Sequence, residues 1–180
     1  LAWMDGGSRS LYTKKPVRKP EDLKGQKIRM MGNPLFVDTM NAMGGNGISM
    51  GYGEVFTAIQ TGVVDGAENN FPSFDTSRHF EVAKYYAMTE HSMAPEMLLM
   101  SKKVYDTLTP EEQKIFRDAA KESVPYMRKL WDEKEAKSKA AVLAGGAQVL
   151  EVDKKSFQDV MGTVYDKFIT KPKRKSMVKA

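Results

Sequence analysis

Arg29 stands between apolar neighbours in the short run Lys27-Ile28-Arg29-Met30-Met31. In a strand, such a residue either snorkels to the surface or points into a cleft. In a cleft its chemistry is recognition: the planar guanidinium takes a carboxylate in two parallel, charge-assisted hydrogen bonds. The second dense feature is Asp65-Gly66-Ala67-Glu68-Asn69-Asn70-Phe71-Pro72. Here acid, amide, aromatic and proline follow an expected strand and precede an expected loop, the position at which α/β sheets carry ligand groups. Asn69-Asn70 also suits a plain capping turn.

Other chemistries lack their residues. His79 and His91 are the only histidines, and His79-Phe80-Glu81 lacks the i, i+4 spacing of a helical zinc pair, so no metal is expected. The absence of cysteine removes disulfides, thiolate metal sites and cysteine nucleophiles together. No Gly-x-Ser-x-Gly elbow occurs. Gly44-Gly45-Asn46-Gly47 and Gly51-Tyr52-Gly53 carry neither a phosphate-loop Lys-Ser/Thr nor a dinucleotide fingerprint and read as turns. No catalytic residue and no cofactor is expected. An enzyme would have to draw an acid–base pair from Glu68 or Glu90 with His91.

Charge excludes a further class. The net charge of +5 resides in the last ten residues, where Lys171, Lys173, Arg174, Lys175 and Lys179 stand without an acid. This is expected to be a frayed basic end, because a nucleic-acid surface would interleave basic residues with aromatics on one face. No nucleic-acid partner is expected. No run of eighteen apolar residues exists, so the chain is not expected to span a membrane. With 41% hydrophobic residues it supports one globular domain or two small lobes sharing elements. The 13 methionines suit adaptable core filling. The start, Leu1-Ala2-Trp3-Met4, has no basic or apolar leader character, so either a leader and a preceding segment were removed or the chain is a fragment.

The elements that must position these residues alternate as in an α/β fold. Strands are expected at Lys27–Met31, Ile48–Tyr52, Val63–Glu68, Val82–Met88, Met97–Ser101 and Ala147–Val152. Asn33-Pro34 is an N-cap followed by a first-turn proline, and opens a helix that carries Leu35, Phe36, Met40 and Met43 at helical spacing and ends at Gly44-Gly45. A second helix spans Glu54–Thr61 and stops at Gly62. Two successive strand–helix–strand passages predict parallel pairing with right-handed crossovers. Thr109-Pro110-Glu111-Glu112 has the form of a capping box, and the helical pattern runs on to Ala144, on the order of 50 Å. Pro125 predicts a kink within it. A helix so long and polar bridges two lobes or crosses a surface. Asp153 is expected to cap one closing helix with Phe157, Val160, Val164 and Phe168 inward.

Two segments carry a family resemblance: residues 20–29 (PEDLKGQKIR) and residues 51–69 (GYGEVFTAIQTGVVDGAEN). They strongly resemble the solute-binding proteins of tripartite ATP-independent periplasmic (TRAP) transporters, the dicarboxylate-, sialic-acid- and uronate-binding family. The resemblance extends from Gly7-Ser8-Arg9 to the region of Phe168. It implies an α/β, periplasmic-binding-protein-like fold: a second lobe, the long lobe-spanning helix and part of the first lobe. On that pattern residues 1–87 form the ligand-binding second lobe, 88–108 cross toward the first lobe, and 109–145 form the bridging helix. Residues 146–170 then form the closing strand and helix, and 171–180 the basic tail.

The resemblance also implies a site. Arg29 holds the ligand carboxylate, helped by Asn69 and by Arg9, as in the sialic-acid members. Tyr52 packs on the ligand, and Asn33 lines the pocket. Asn70-Phe71-Pro72, with the segment from Arg78 to Lys84, resembles the subgroup for uronates and other sugar acids, which adds Asn70 and Phe71. The implied function is capture of a small organic acid in the periplasm and delivery to a membrane TRAP permease, with no chemistry performed. A sensory receptor on the same fold is the alternative. Family members are considerably longer, and the missing first-lobe half normally supplies the other wall of the cleft. The chain alone is therefore expected to bind weakly.

Overall fold

A computed structural model describes residues 1–170; the basic tail, 171–180, lies outside the described residues. Eight strands are present: β1 (Ala2–Met4), β2 (Ser8–Thr13), β3 (Lys27–Met30), β4 (Asn46–Ser49), β5 (Gly66–Asn69), β6 (Tyr85–Met93), β7 (Glu96–Leu98) and β8 (Gln148–Leu150). Seven α-helices join them: α1 (Pro34–Ala42), α2 (Val55–Thr61), α3 (Phe71–Thr76), α4 (Lys102–Tyr105), α5 (Pro110–Ala144), α6 (Lys154–Asp159) and α7 (Gly162–Phe168).

Six strands form one sheet in the order β4-β3-β5-β2-β6-β8, while β1 and β7 pair separately as an antiparallel ribbon. The two strand–helix–strand passages are parallel, as expected: β3 pairs with β4 on one side and β5 on the other. β2, which the sequence pattern did not mark, runs antiparallel between β5 and β6. All but one of its residues are buried, so it shows no alternation of polar and apolar side chains. Its successive residues Leu11 and Tyr12 enter different cores, as period-two geometry requires. Leu11 joins Ile28, Met40, Phe157 and Val164; Tyr12 joins Ile59, Phe74, Tyr86 and Val142.

Helix starts follow their caps. Asn33 Oδ1 accepts the Leu35 N–H at 2.9 Å to open α1. At α5, Thr109 N–H donates to Glu112 Oε2 at 2.8 Å, and Glu112 N–H donates to Thr109 Oγ1 at 3.3 Å. α5 then runs for 35 residues with Pro125 inside it. Arg128 pairs with Asp5 beside the β1–β7 ribbon, whereas Ser138 donates to Asp75 at the end of α3. One helix thus reaches from one sheet to the other.

Several boundaries differ from the sequence expectation. β4 ends at Ser49, and Tyr52 opens a 3-10 turn, Tyr52–Glu54. β5 begins only at Gly66, because Val64 N–H is still bonded to the Ala58 carbonyl of the preceding turn. The segment after Asn70 is a helix, not a loop. The single closing helix is two, α6 and α7, broken before Gly162, a poor helix former. The break leaves Val160 37% exposed, so it does not face inward.

Candidate functional site

β5 lies between β3, which carries Arg29, and β2, which carries Arg9. Each residue from Asp65 to Asn69 that bears a polar group, or lacks a side chain, has an identifiable task. Asp65 Oδ2 accepts the Lys27 N–H at 2.8 Å, and its own N–H donates to the Lys27 carbonyl at 2.7 Å, which joins the starts of β3 and β5. Gly66 packs so closely on β2 that an added Cβ would lie 2.2 Å from the Tyr12 carbonyl oxygen. Glu68 and Asn69 then turn to Arg9.

Arg9 is held by a full set of partners. Its Nε donates to Glu68 Oε2 at 2.6 Å, and one terminal nitrogen donates to Glu68 Oε1 at 2.9 Å and to the Glu68 carbonyl at 3.0 Å. The other terminal nitrogen donates to Asn69 Oδ1 at 2.9 Å. Four of the five N–H groups of the guanidinium are engaged in this way. Glu68 is fully buried. Burial opposes its ionisation, but His91 and the Arg9 fork outweigh burial and hold the carboxyl below its ordinary value. His91 Nε2 stands 3.6 Å from Glu68 Oε2, an electrostatic contact beyond hydrogen-bond length, while its Nδ1 bonds the Thr89 hydroxyl at 2.8 Å. In the Arg9 guanidinium, desolvation lowers the pKa, but Glu68 more than offsets it, and the net shift is upward.

Arg29 is as buried and far less engaged. Only 4% of it is exposed, and its Nε donates to the Met50 carbonyl at 2.9 Å. Among the described residues its two terminal nitrogens have no hydrogen-bond or ion-pair partner. Burial therefore pulls its pKa below the ordinary arginine value, although an arginine so shifted still stays charged at neutral pH. Tyr52 covers it, with the guanidinium carbon 5.7 Å from the ring centroid. This arrangement leaves a charged fork whose geometry could take a planar anion such as a carboxylate.

The remaining expected site residues divide. Asn69 Oδ1 accepts from Arg9 and from the Asn70 N–H at 2.9 Å, and its carbonyl accepts from the Tyr86 hydroxyl at 2.8 Å. Its Nδ2 has no partner among the described residues, which leaves an amide donor beside Arg9. Asn70 is committed to the fold: Oδ1 caps α3 by accepting the Ser73 N–H at 2.9 Å, and Nδ2 donates to the Gly6 carbonyl at 2.8 Å. Phe71 is 3% exposed and stacks on Tyr86 with centroids 4.1 Å apart, inside the core. Asn33 uses its oxygen on the α1 cap and borders a groove of about 890 Å³ with Phe36, His91, Phe157, Met161 and Phe168. That groove includes neither arginine nor Tyr52, so the polar chemistry lies outside this apolar hollow.

Sequence reasoning missed the Met50 carbonyl and the residues behind Tyr52, namely Ser77 and His79. A backbone carbonyl leaves no trace in residue types. His79 Nδ1 meets the Tyr12 hydroxyl at 2.8 Å across 67 positions of sequence, and no local spacing reports such a contact. Burial, reinforced by the Arg29 charge, lowers the His79 pKa to about 4. Among the described residues no cluster of His, Asp or Glu could hold a metal ion, and no helix is long and apolar enough to cross a membrane.

Comparison with known proteins places this geometry in context. The family model for bacterial extracellular solute-binding proteins, family 7 (DctP), matches residues 1–171. A solute-binding protein of Chromohalobacter salexigens is 44% identical over 181 residues, which is 99% of this chain and 54% of that protein. A TRAP periplasmic solute-binding protein of Xanthobacter autotrophicus Py2, solved with bound β-D-galacturonate, superposes with a TM-score of 0.94 at 50% identity. That match covers 99% of this chain and 60% of the other. A third such protein, from Pseudomonas putida F1 with bound D-glucuronate, gives a TM-score of 0.90 at 56% identity, covering 93% of this chain and 55% of the other. The chain spans about half the length of the curated relatives it matches.

Proposed function

Because this chain belongs to family 7 of the bacterial extracellular solute-binding proteins, we propose that it forms the carboxylate-holding half of a periplasmic binding protein for a uronate. The bound sugar acid would pass to a TRAP permease in the membrane, unaltered. The observation that carries this reading is Arg29: buried, charged, fixed at Nε by the Met50 carbonyl, and unpartnered at both terminal nitrogens among the described residues. A side chain buried along most of its length, with an unbonded charged fork at its end, is placed to meet an anion. Its fork has the geometry for one carboxylate taken in two parallel bonds. The uronates bound to relatives at 50 and 56% identity support a sugar acid over a dicarboxylate.

Transport without chemistry fits the ionisation of the site. Glu68 is held ionised and bridged to Arg9, so it is not poised to give or take a proton near neutrality. Residues 88–108 and the ribbon β1–β7 are read as the crossing into a first lobe, with α5 as the bridge between lobes. Closure of that lobe would remove water from the Arg29–carboxylate pair and strengthen it.

The test is calorimetric titration of the complete protein with D-glucuronate, D-galacturonate, succinate and D-glucose. The reading predicts tight binding of a uronate, weaker binding of succinate, and none of the neutral sugar. Binding of D-glucose as tight as that of D-glucuronate would remove the carboxylate from the account. The 180-residue chain alone, which spans about half the length of its relatives, is expected to bind the same uronate more weakly.

A further inference from the structure

Tyr52 begins a 3-10 turn and remains 41% exposed, yet its ring is fastened at the tip and along an edge. The hydroxyl shares a hydrogen bond of 2.7 Å with Ser77 Oγ and lies 3.3 Å from the Ser73 carbonyl, to which it can donate. The ring meets His79 edge-on, with centroids 5.5 Å apart and planes at 62°. His79 is itself immobile: it is 1% exposed, and its Nδ1 is bonded to the hydroxyl of the fully buried Tyr12. The chain reaches His79 from α3 through Arg78, a non-glycine residue in the left-handed region at φ 55°. Such a conformation persists only where surrounding contacts enforce it. The turn after α3 therefore brings Ser77 and His79 together behind one aromatic ring.

In front of that ring stands Arg29. A single bond from Nε to the Met50 carbonyl fixes one line in the guanidinium but leaves its plane free to swing about that line. The Tyr52 ring, whose centroid lies 5.7 Å from the guanidinium carbon, is within cation–π range and limits the swing. We infer that Ser77, backed by His79, is a positioning residue: it holds Tyr52 in place and so fixes the plane of the Arg29 fork before ligand arrives. The inference rests on the reading of Arg29 as the carboxylate anchor. It adds that part of the affinity comes from a serine that never touches the ligand, through preorganisation of the fork.

The experiment compares Ser77→Ala, Ser77→Thr, Tyr52→Phe, the Ser77→Ala/Tyr52→Phe double variant and Arg29→Gln in the complete protein. D-Glucuronate affinity is measured by calorimetry, and the Arg29 side-chain resonances are followed by NMR without ligand. Ser77→Ala and Tyr52→Phe are each expected to weaken binding about fivefold, the effect of roughly one hydrogen bond. The double variant should lose no more than Tyr52→Phe alone, because that change already removes the bond to Ser77 along with the one to the Ser73 carbonyl. Ser77→Thr, which keeps a hydroxyl, should restore affinity. Ser77→Ala should also shift the Arg29 resonances as the ring current of Tyr52 leaves them; a serine that merely stabilises the fold would not do so. Wild-type affinity in Ser77→Ala, or unmoved Arg29 resonances, would overturn the inference. If Arg29→Gln abolishes binding while Ser77→Ala is silent, the brace fails and the anchor stands. If Arg29→Gln binds like wild type, the anchor fails and the brace with it.

Discussion

The same sheet carries two arginines of nearly equal burial, Arg9 at 8% exposed and Arg29 at 4%, on the strands that flank β5. Arg9 gives four N–H groups to Glu68 and Asn69, whereas Arg29 gives one, to a backbone carbonyl. The difference separates structure from recognition within one type of side chain. A guanidinium whose fork is already filled by a buried carboxylate fastens two strands together. On the proposed reading, one whose fork meets no protein carboxylate is the group that receives the ligand's. Glu68 is what makes the contrast possible, because it neutralises Arg9 from within the protein and leaves the site one uncompensated positive charge.

Breaking the filled pair should produce the largest effect. Arg9→Met leaves Glu68 as a buried carboxylate without its partner, and loss of about 3–5 kcal/mol of stability is expected. Urea denaturation of the complete protein would measure it; an unchanged midpoint would mean that Glu68 is satisfied in some other way. Breaking the empty one should act on ligand instead. Arg29→Met is expected to cost about 2–5 kcal/mol of uronate binding, as for a truncated partner in a desolvated charge pair, with little change in stability without ligand. Calorimetry and denaturation of the same sample check the two halves of that statement.

Acid sharpens the comparison through His79, which sits within reach of the Arg29 charge. Its folded value of about 4 lies below the ordinary 6.5, so the unfolded chain binds this proton more readily. The stability associated with a neutral His79 is complete above pH 6.5 and is lost as the pH falls toward 4, by on the order of 3 kcal/mol. Burial is the larger cause and Arg29 the smaller. An NMR titration should therefore show the His79 pKa rising in Arg29→Met while staying below 6.5. A His79 pKa unaffected by that substitution would place the Arg29 charge farther away than the structure has it. The smallest effect belongs to Asn70→Ala, which loses the α3 cap at about 1–2 kcal/mol. Uronate affinity should hold within about twofold, since its amide is bonded on both sides to the fold. A larger loss would return Asn70 to the ligand.

Much of this was legible in residue types. The caps at Asn33 and Thr109, the parallel passages around β3, and the 35-residue helix follow from local rules that act over a few positions. Arg29 stood out because an arginine between buried Ile28 and Met30 needs a reason. The antiparallel β2 stayed hidden because a strand covered on both faces loses its alternation. Which arginine was filled could not be read either. Arg9 and Glu68 lie 59 positions apart, and pairing at that range is decided by the register of β2 on β5. Asn69 and Asn70 are neighbours in sequence, yet one bonds Arg9 and the other caps α3, a division that residue types do not report.

The most direct test of the central contrast is a calorimetric titration of D-glucuronate into Arg29→Lys and Arg9→Lys in the complete protein, with each titration scaled to its folded fraction. A lysine in place of Arg29 offers a point charge where a fork is needed. It should lose at least about tenfold more affinity than Arg9→Lys, a difference of about 1.4 kcal/mol or more. Equal losses in the two variants, or the greater loss in Arg9→Lys, would contradict the assignment of one arginine to the fold and the other to the ligand.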